Sequence, residues 1–520
     1  MSFSRVYSAQ PHMLRGSIVT IEIDVTPKSL YAFSVVGLPD KAVDEARDRV
    51  SSALKNSSFT SPKTQNQKVV VSLAPADLKK EGSYFDLGIA IGYLLSIEEI
   101  SFSPSGKLFL GELALNGEIL PLKGILPIIE EAKRRGFTEV FLPTTNAKEA
   151  ALIEGITIYG VKTLSDLVLH INEKPEKGIE RVIIAQELHE IPIINEIKSI
   201  LDLSDIHGQE TAKRALIIAI AGGHNIALYG PPGTGKTMLA RAARELLPEL
   251  DIDSKLEATG IHSIAGILGE QIVIGSAPFR SPHHTASHVA IIGGGTIPKP
   301  GEVTLAHHGI LFMDEFPEFE KRVIESLRQP LEEGTVSISR AKGSALFPAR
   351  FILIAAMNPC PCGYKTSKVK KCICSAHDLA RYERKLSGPI MDRIDLWVPV
   401  GEISYEALGD HKGGGNENRE AQEKIKKARE LQRKRFSAIG KFGFKNSMMT
   451  NRDMTAVCPL SKEVRDILNM SAEKLGLSTR AYHRMIKVAR TIADLDNKEN
   501  IEATHILEAL QYRPKGIGSQ

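Results

Sequence analysis

The sequence predicts an α/β protein with a nucleotide-type core in the middle of the chain, a mixed α and β region before it and a helical region after it. Three observations predict the core. Asn225-Ile-Ala-Leu-Tyr229 is an apolar run feeding the glycine-rich Gly230-Pro-Pro-Gly-Thr-Gly-Lys-Thr237, with a helix expected at or just after Lys236. Gly309-Ile-Leu-Phe-Met-Asp-Glu315 is a second apolar run, ending in two acids. Phe351-Ile-Leu-Ile-Ala-Ala-Met-Asn358 is a third, ending in an amide. Short apolar runs of this kind read as buried strands that deliver a polar side chain to the edge of a sheet.

The residue types fix the chemistry expected there. Gly230 to Thr237 fits G-x-x-x-x-G-K-[ST], the phosphate-binding loop. Gly230, Gly233 and Gly235 let the backbone turn its N–H groups inward around an anion. Pro231, Pro232 and Thr234 complete the loop, and the following helix presents unpaired N–H groups and the positive end of its dipole. Lys236 reaches the β- and γ-phosphates, and the Thr237 hydroxyl ligates Mg²⁺. Asp314 is expected to hold the same ion through water and Glu315 to polarise the attacking water. A nucleoside triphosphate and Mg²⁺ are what these residues imply.

Composition bounds the rest. The chain of 520 residues argues for two to four domains, and 42% hydrophobic with 25% charged residues is ordinary for a globular protein. No run approaches the ~18 apolar residues of a membrane span, and Met-Ser-Phe-Ser-Arg-Val-Tyr lacks a signal-peptide core. A cytoplasmic chain without membrane contact is the expectation. The net charge of +4 leaves nucleic acid open, so local clusters must decide.

In the amino-terminal third, Val69 to Leu73 reads as a strand and Asp86 to Leu95 as an apolar helix. Lys107 to Leu115 reads as a strand turned by Asn116-Gly117, followed by a helix over Leu126 to Arg135 and strands over Phe137 to Leu142 and Ile156 to Val161. From about Ile171 to Ile200 the pattern turns charged and proline-interrupted, as in a linker. Gly334 to Phe347 alternates and turns at Ala341-Lys-Gly343, which predicts a β-hairpin with Arg340 and Lys342 at its tip. Four of the five cysteines fall within Cys360-Pro-Cys362 and Cys372-Ile-Cys374. Four thiolates from one loop satisfy tetrahedral Zn²⁺, with free thiols as the alternative and His377 as a substitute ligand. Lys365, Lys368, Lys370 and Lys371 between the pairs are candidate DNA-phosphate contacts or a solvated charge run. His283, His284 and His288 read as loop residues for packing or substrate contact. Beyond Gly413-Gly-Gly, helices are expected over Arg419 to Phe436, Lys462 to Gly476, Thr479 to Leu495 and Glu502 to Tyr512.

These motifs carry resemblances. The phosphate loop, the acid-terminated strand and Asn358 resemble AAA+ ATPases, which implies ATP as the nucleotide, Asn358 at the sensor-1 position bonding the γ-phosphate or the water, and a segment like Ile206 to Gln209 lining the adenine pocket. Ser387-Gly-Pro-Ile-Met-Asp-Arg-Ile-Asp395 resembles the arginine-finger segment of magnesium chelatase and MCM-type ATPases. That implies Arg393 reaching a neighbour's ATP within a hexameric ring. Ser478-Thr-Arg-Ala-Tyr-His-Arg484 resembles sensor 2, with Arg480 first and Arg484 as the alternative. In related ring motors a hairpin before sensor 1 grips DNA, the role implied for Arg340 and Lys342. Gly111 to Gly124 resembles the Lon-protease domain of the ribosomal-S5-domain-2-like fold, but Phe85 and Leu126 stand where its Ser–Lys dyad would lie. Ser83 and Lys123 leave only a shifted dyad, so a non-proteolytic domain is expected.

The resulting plan is residues 1–170 Lon-like, 171–200 linker, 201–400 AAA+ core and 401–520 helical lid. This combination resembles the competence protein ComM family of bacteria. It implies a hexameric ATP-dependent DNA motor for branch migration in recombination and natural transformation, working with single-stranded or branched DNA and recombination proteins. A chelatase subunit that drives metal insertion, an ATP-dependent protease and a non-enzymatic scaffold are the rivals.

Overall fold

The computed structural model describes residues 3–27, 29–173, 183–188, 201–268, 273–295, 298–340, 343–367, 369–385, 388–403 and 416–513. The chain forms two compact units, Met1–Ile193 with Lys255–Ile274, and Ile194–Ser254 with Gly275–Gln520.

In the first unit, β1 (Phe3–His12), β2 (Arg15–Thr26), β3 (Ala32–Val36) and β4 (Lys68–Ala74) form a sheet of order β1-β2-β4-β3, antiparallel except for β3 on β4. The helix Asp86–Ser96 packs on it and is buried on nearly every side, which is why its sequence is apolar all round. Gly88 and Gly92 allow the approach: a Cβ there would come within 2.7 Å of Ile21 Cδ1 and 2.9 Å of Ile23 Cδ1. Asp86 opens that helix in a bidentate pair with Arg49, at 2.6 and 3.0 Å. Burial drives the Asp86 carboxyl up to about 6, and the Arg49 bond opposes the rise.

A second, parallel sheet joins β5 (Lys107–Phe109), β8 (Glu139–Pro143) and β9 (Thr157–Val161). The single strand expected over Lys107 to Leu115 is instead two, β5 and β6 (Glu112–Leu113), the latter paired with β7 (Ile119–Leu120). The break falls where Leu110 donates to Phe141 O and Gly111 turns to donate to Tyr84 O. The segment Lys255–Ile274, though it follows the phosphate loop in sequence, belongs to this unit. There Ser263 Oγ donates to Glu149 Oε1 at 2.6 Å and accepts from the Gly124 N–H at 3.1 Å.

The second unit is built on five parallel strands: β10 (Ile226–Tyr229), β11 (Phe279–Arg280), β14 (Ile310–Met313), β17 (Ile352–Met357) and β18 (Leu396–Pro399). Their order is β11-β14-β17-β10-β18. The strands β12 (Gly293–Gly294) and β13 (Lys299–Pro300) make a small antiparallel pair, and β15 (Thr335–Arg340) with β16 (Gly343–Pro348) makes the hairpin. Parallel strands covered on both faces need apolar side chains throughout, and β14 and β17 are buried at every position. Helices Glu417–Ser437, Asn451–Val457, Lys462–Lys474, Thr479–Leu495 and Ala503–Gln511 follow. Ser461 and Ser478 cap two of them by accepting from Val464 N and Ala481 N. Asp494 ties the helical region together, accepting from Arg435 and Arg490, while Asn446 bridges it to Thr491.

Candidate active site

The carboxyl ends of the strands converge on the glycine-rich loop. Gly233 and Gly235 take φ of +79° and +90°, and a Cβ at either would meet nothing within 4 Å, so both backbones face open space. Gly230 serves another purpose: its N–H bonds Met357 O, and a Cβ would lie 2.0 Å from Val400 O on the neighbouring strand's end. Pro231 O accepts from Thr234 Oγ1 at 2.9 Å, closing the loop beside Pro232. The helix Lys236–Glu245 starts immediately after.

Lys236 Nζ donates to Gly230 O at 2.8 Å, Pro231 O at 2.7 Å and Asn358 Oδ1 at 3.2 Å. Burial lowers its pKa, and the Asp314 charge pushes back. Thr237 Oγ1 donates to Asp314 Oδ2 at 2.9 Å. A hydroxyl and a carboxylate side by side are the hard oxygen donors Mg²⁺ takes, next to a desolvated ammonium suited to phosphate. The residues therefore fit ATP and Mg²⁺.

Glu315 follows with φ +50°, a left-handed conformation rare for glutamate, its N–H on Asp314 Oδ1 at 2.9 Å. Its Oε2 lies 3.1 Å from His284 Nδ1. The sequence marked His284 as a loop residue for packing or substrate contact but did not foresee its pairing with Glu315. Its one signal was position, a few residues beyond the edge strand β11. The two side chains line a cavity of about 430 Å³ with Thr237, Arg241, Ser281 and Asp314. His283 instead faces Thr285 Oγ1 at 2.9 Å.

Arg393 stands at the other end of the sheet. Asn225, just before β10, donates from Nδ2 to Arg393 O at 3.0 Å and from its N–H to Asp395 Oδ2 at 3.1 Å. The four residues of β10 at about 3.3 Å each separate this end from the phosphate loop by about 13 Å. Arg393 Nη1 donates to Pro389 O at 2.6 Å, and Nη2 pairs with Glu332. Arg480 is at this edge too, 3.6 Å from Glu332, and Arg484 lies 3.5 Å from Asp395. These groups line a cavity of about 530 Å³.

The cysteines do gather. Sγ separations are 3.4 Å for Cys360–Cys362, 3.7 Å for Cys360–Cys372 and 3.5 Å for Cys362–Cys372, while Cys374 Sγ accepts the Cys362 N–H. A tetrahedron with Zn–S of ~2.3 Å has edges of about 3.8 Å, so the donor set fits Zn²⁺. The N–H groups of Tyr364 and Ile373 pull the Cys362 thiol down to about 6. Among the described residues the grouping is Cys360, Cys362, Cys372 and Cys374, without His377. The loop lies on the site: a Cβ on Gly363 would come 2.8 Å from Pro232 Cδ, and Tyr382 Oη donates to Asn358 O at 3.0 Å.

Of the candidate DNA contacts, Lys365 pairs with Glu383 at 3.1 Å, Lys370 sits 5.2 Å from the Tyr364 ring centre, and Lys371 is exposed. Lys342, Lys368 and the side chain of Arg340 lie outside the described residues. Gln209 Nε2 donates to Gly401 O at 2.6 Å. In the first unit Phe85 and Leu126 are buried in apolar core, and Ser83 Oγ bonds Glu112 Oε2.

Comparison with known families matches residues 202–408 to "Magnesium chelatase, subunit ChlI", 21–146 to "Subunit ChlI of Mg-chelatase" and 415–513 to "Magnesium chelatase, subunit ChlI C-terminal". The fold and the site define a magnesium-chelatase-like AAA+ ATPase. Competence protein ComM of Haemophilus influenzae is 42% identical over 518 residues, 99% of this chain and 98% of that protein. The uncharacterized protein YifB of Escherichia coli is 38% identical over 99% of this chain and 97% of its own length. The maternal DNA replication licensing factor mcm6 of Xenopus tropicalis is 22% identical over 60% of this chain and 36% of its own. The chain belongs to the competence protein ComM family. Among the described residues no helix is long and apolar enough to cross a membrane.

Proposed function

We propose that this ATPase is a hexameric DNA motor that hydrolyses ATP between subunits and drives branch migration in recombination and DNA integration during natural transformation. The observation that carries the ring is the split of the site: Lys236, Thr237, Asp314 and Asn358 lie at one end of the sheet, Arg393, Arg480 and Arg484 at the other. A guanidinium at the start of β18 does not reach the phosphates held after β10 in the same subunit, but it can serve a neighbour's.

The residues then take distinct work. Lys236 and the loop N–H groups bind the β- and γ-phosphates, and Asn358 holds Lys236 and orients the γ-phosphate end. Thr237 and Asp314 would hold Mg²⁺, which would supply charge neutralisation on the phosphate oxygens. Glu315 accepts the proton of the attacking water once its carboxylate leaves His284. Arg393, with Arg480 beside it, stabilises transition-state charge in trans.

DNA enters this reading from three sides. The name of the Haemophilus relative ties it to competence, the mcm6 relative is a replication factor, and the hairpin β15–β16 stands directly before the sensor-1 strand β17. Arg340 and Lys342 at that hairpin, with Lys365, Lys368, Lys370 and Lys371 on a zinc-held cysteine loop, would contact phosphates. The first unit would contact substrate or support the ring without proteolysis.

ATPase activity with and without single-stranded and branched DNA tests the proposal. Stimulation by branched DNA and salt-sensitive binding are expected. Turnover indifferent to DNA, with no binding at low salt, would instead favour a chelatase-like remodeller, the reading to which the three family matches point.

A further inference from the structure

We propose that Glu332 is the positioning residue that holds Arg393 and Arg480 together as one anion-binding pair. The inference rests on the trans reading of Arg393. The two arginines come from distant elements, Arg393 from the segment before β18 and Arg480 from the first turn of the helix Thr479–Leu495. Two guanidiniums repel one another, so adjacency needs a counter-charge between them. Glu332 supplies it with one oxygen for each: Oε2 accepts from Arg393 Nη2, and Oε1 lies 3.6 Å from Arg480 Nη2. Its carboxyl is held below the usual range, first by the Arg393 hydrogen bond and then by the charges of Arg393, Arg480 and Arg484, with burial opposing.

The backbone that carries the carboxylate is set by a helix end. Glu332 is in the last turn of the helix Arg328–Glu333, which ends at Gly334 with φ +68°, where a Cβ would press to 2.9 Å from Arg350 Cγ. The hairpin strand β15 begins at the next residue, Thr335. Arg393 is 10% exposed at its side chain and Arg480 61%, so the acid links a mostly buried arginine to an exposed one. A phosphate group presents the same kind of acceptor as this carboxylate and can take over both donors at once.

Steady-state ATPase kinetics and binding of a fluorescent ATP analogue, on the full-length chain, test this in Glu332→Ala, Glu332→Gln and Glu332→Asp. The expectation is a kcat roughly tenfold lower in the Ala and Gln variants. Nucleotide affinity should be unchanged, and Asp should recover part of the rate. Glu332→Ala combined with Arg393→Ala should be no slower than Arg393→Ala alone, since one unit is already broken. Gln keeps the shape of a half-exposed side chain, so loss of fold does not mimic the result. A wild-type or raised kcat in the Ala and Gln variants overturns the proposal, as does a double variant slowed by both factors multiplied. A wild-type rate in Arg393→Ala overturns the trans reading, and this inference with it.

Discussion

At the carboxyl end of the central sheet, Lys236 is wrapped by two backbone carbonyls and an amide, and Thr237 bonds Asp314. At the amino end, Arg393, Arg480 and Arg484 are held by the carboxylates of Glu332 and Asp395. The first edge is a cradle whose neutral and acidic groups suit a cation–phosphate complex. The second is a set of cations with acid partners, suited to an arriving anion. The two sets of groups lie at opposite strand ends, and the strands between keep them apart. On the proposed reading, the site is completed when one copy's amino edge meets another's carboxyl edge.

Variants that damage one edge alone sharpen the contrast. Arg393→Ala should lower kcat about 10³-fold while the chain still binds ATP, read by turnover against equilibrium nucleotide binding. Glu315→Gln should lower kcat about 10²-fold, again with ATP bound; normal turnover would remove Glu315 from the reaction. Gly230→Ala forces a Cβ against Val400 O and should cost about 1–3 kcal/mol of stability, visible as a lower denaturation midpoint. Cys360→Ser with Cys372→Ser should abolish zinc in metal analysis of the purified protein and slow turnover about tenfold, since the loop rests on Pro232 and Asn358. His284→Ala should change kcat by about threefold, because it frees a half-exposed Glu315 rather than removing it.

Much of the carboxyl edge was legible because its residues are tied to local pattern. An apolar strand, a glycine loop and a helix start are contiguous, and the structure sets them at Ile226–Tyr229 and Lys236–Glu245. The strands at Ile310–Met313 and Ile352–Met357 likewise follow their apolar runs. The long helix Thr479–Leu495 starts where Ser478 caps it. What stayed hidden is held by contacts between distant residues. Glu332 with Arg393 and Arg480, and His284 with Glu315, follow from sheet order and have no spacing rule. The strand break at Gly111 arises from bonds to Tyr84 and Phe141, and nothing in Lys107 to Leu115 announces it. The transfer of Lys255–Ile274 to the first unit is hidden for the same reason.

Mixing two inactive variants measures the divided site most directly. Lys236→Ala damages only the cradle, Arg393→Ala only the arginine edge. Equal mixing of the two should restore turnover to about a quarter of wild type, the share of interfaces that pair an intact cradle with intact arginines. A mixture as inactive as its components, in rings shown to have exchanged subunits, would contradict an ATP site shared between copies.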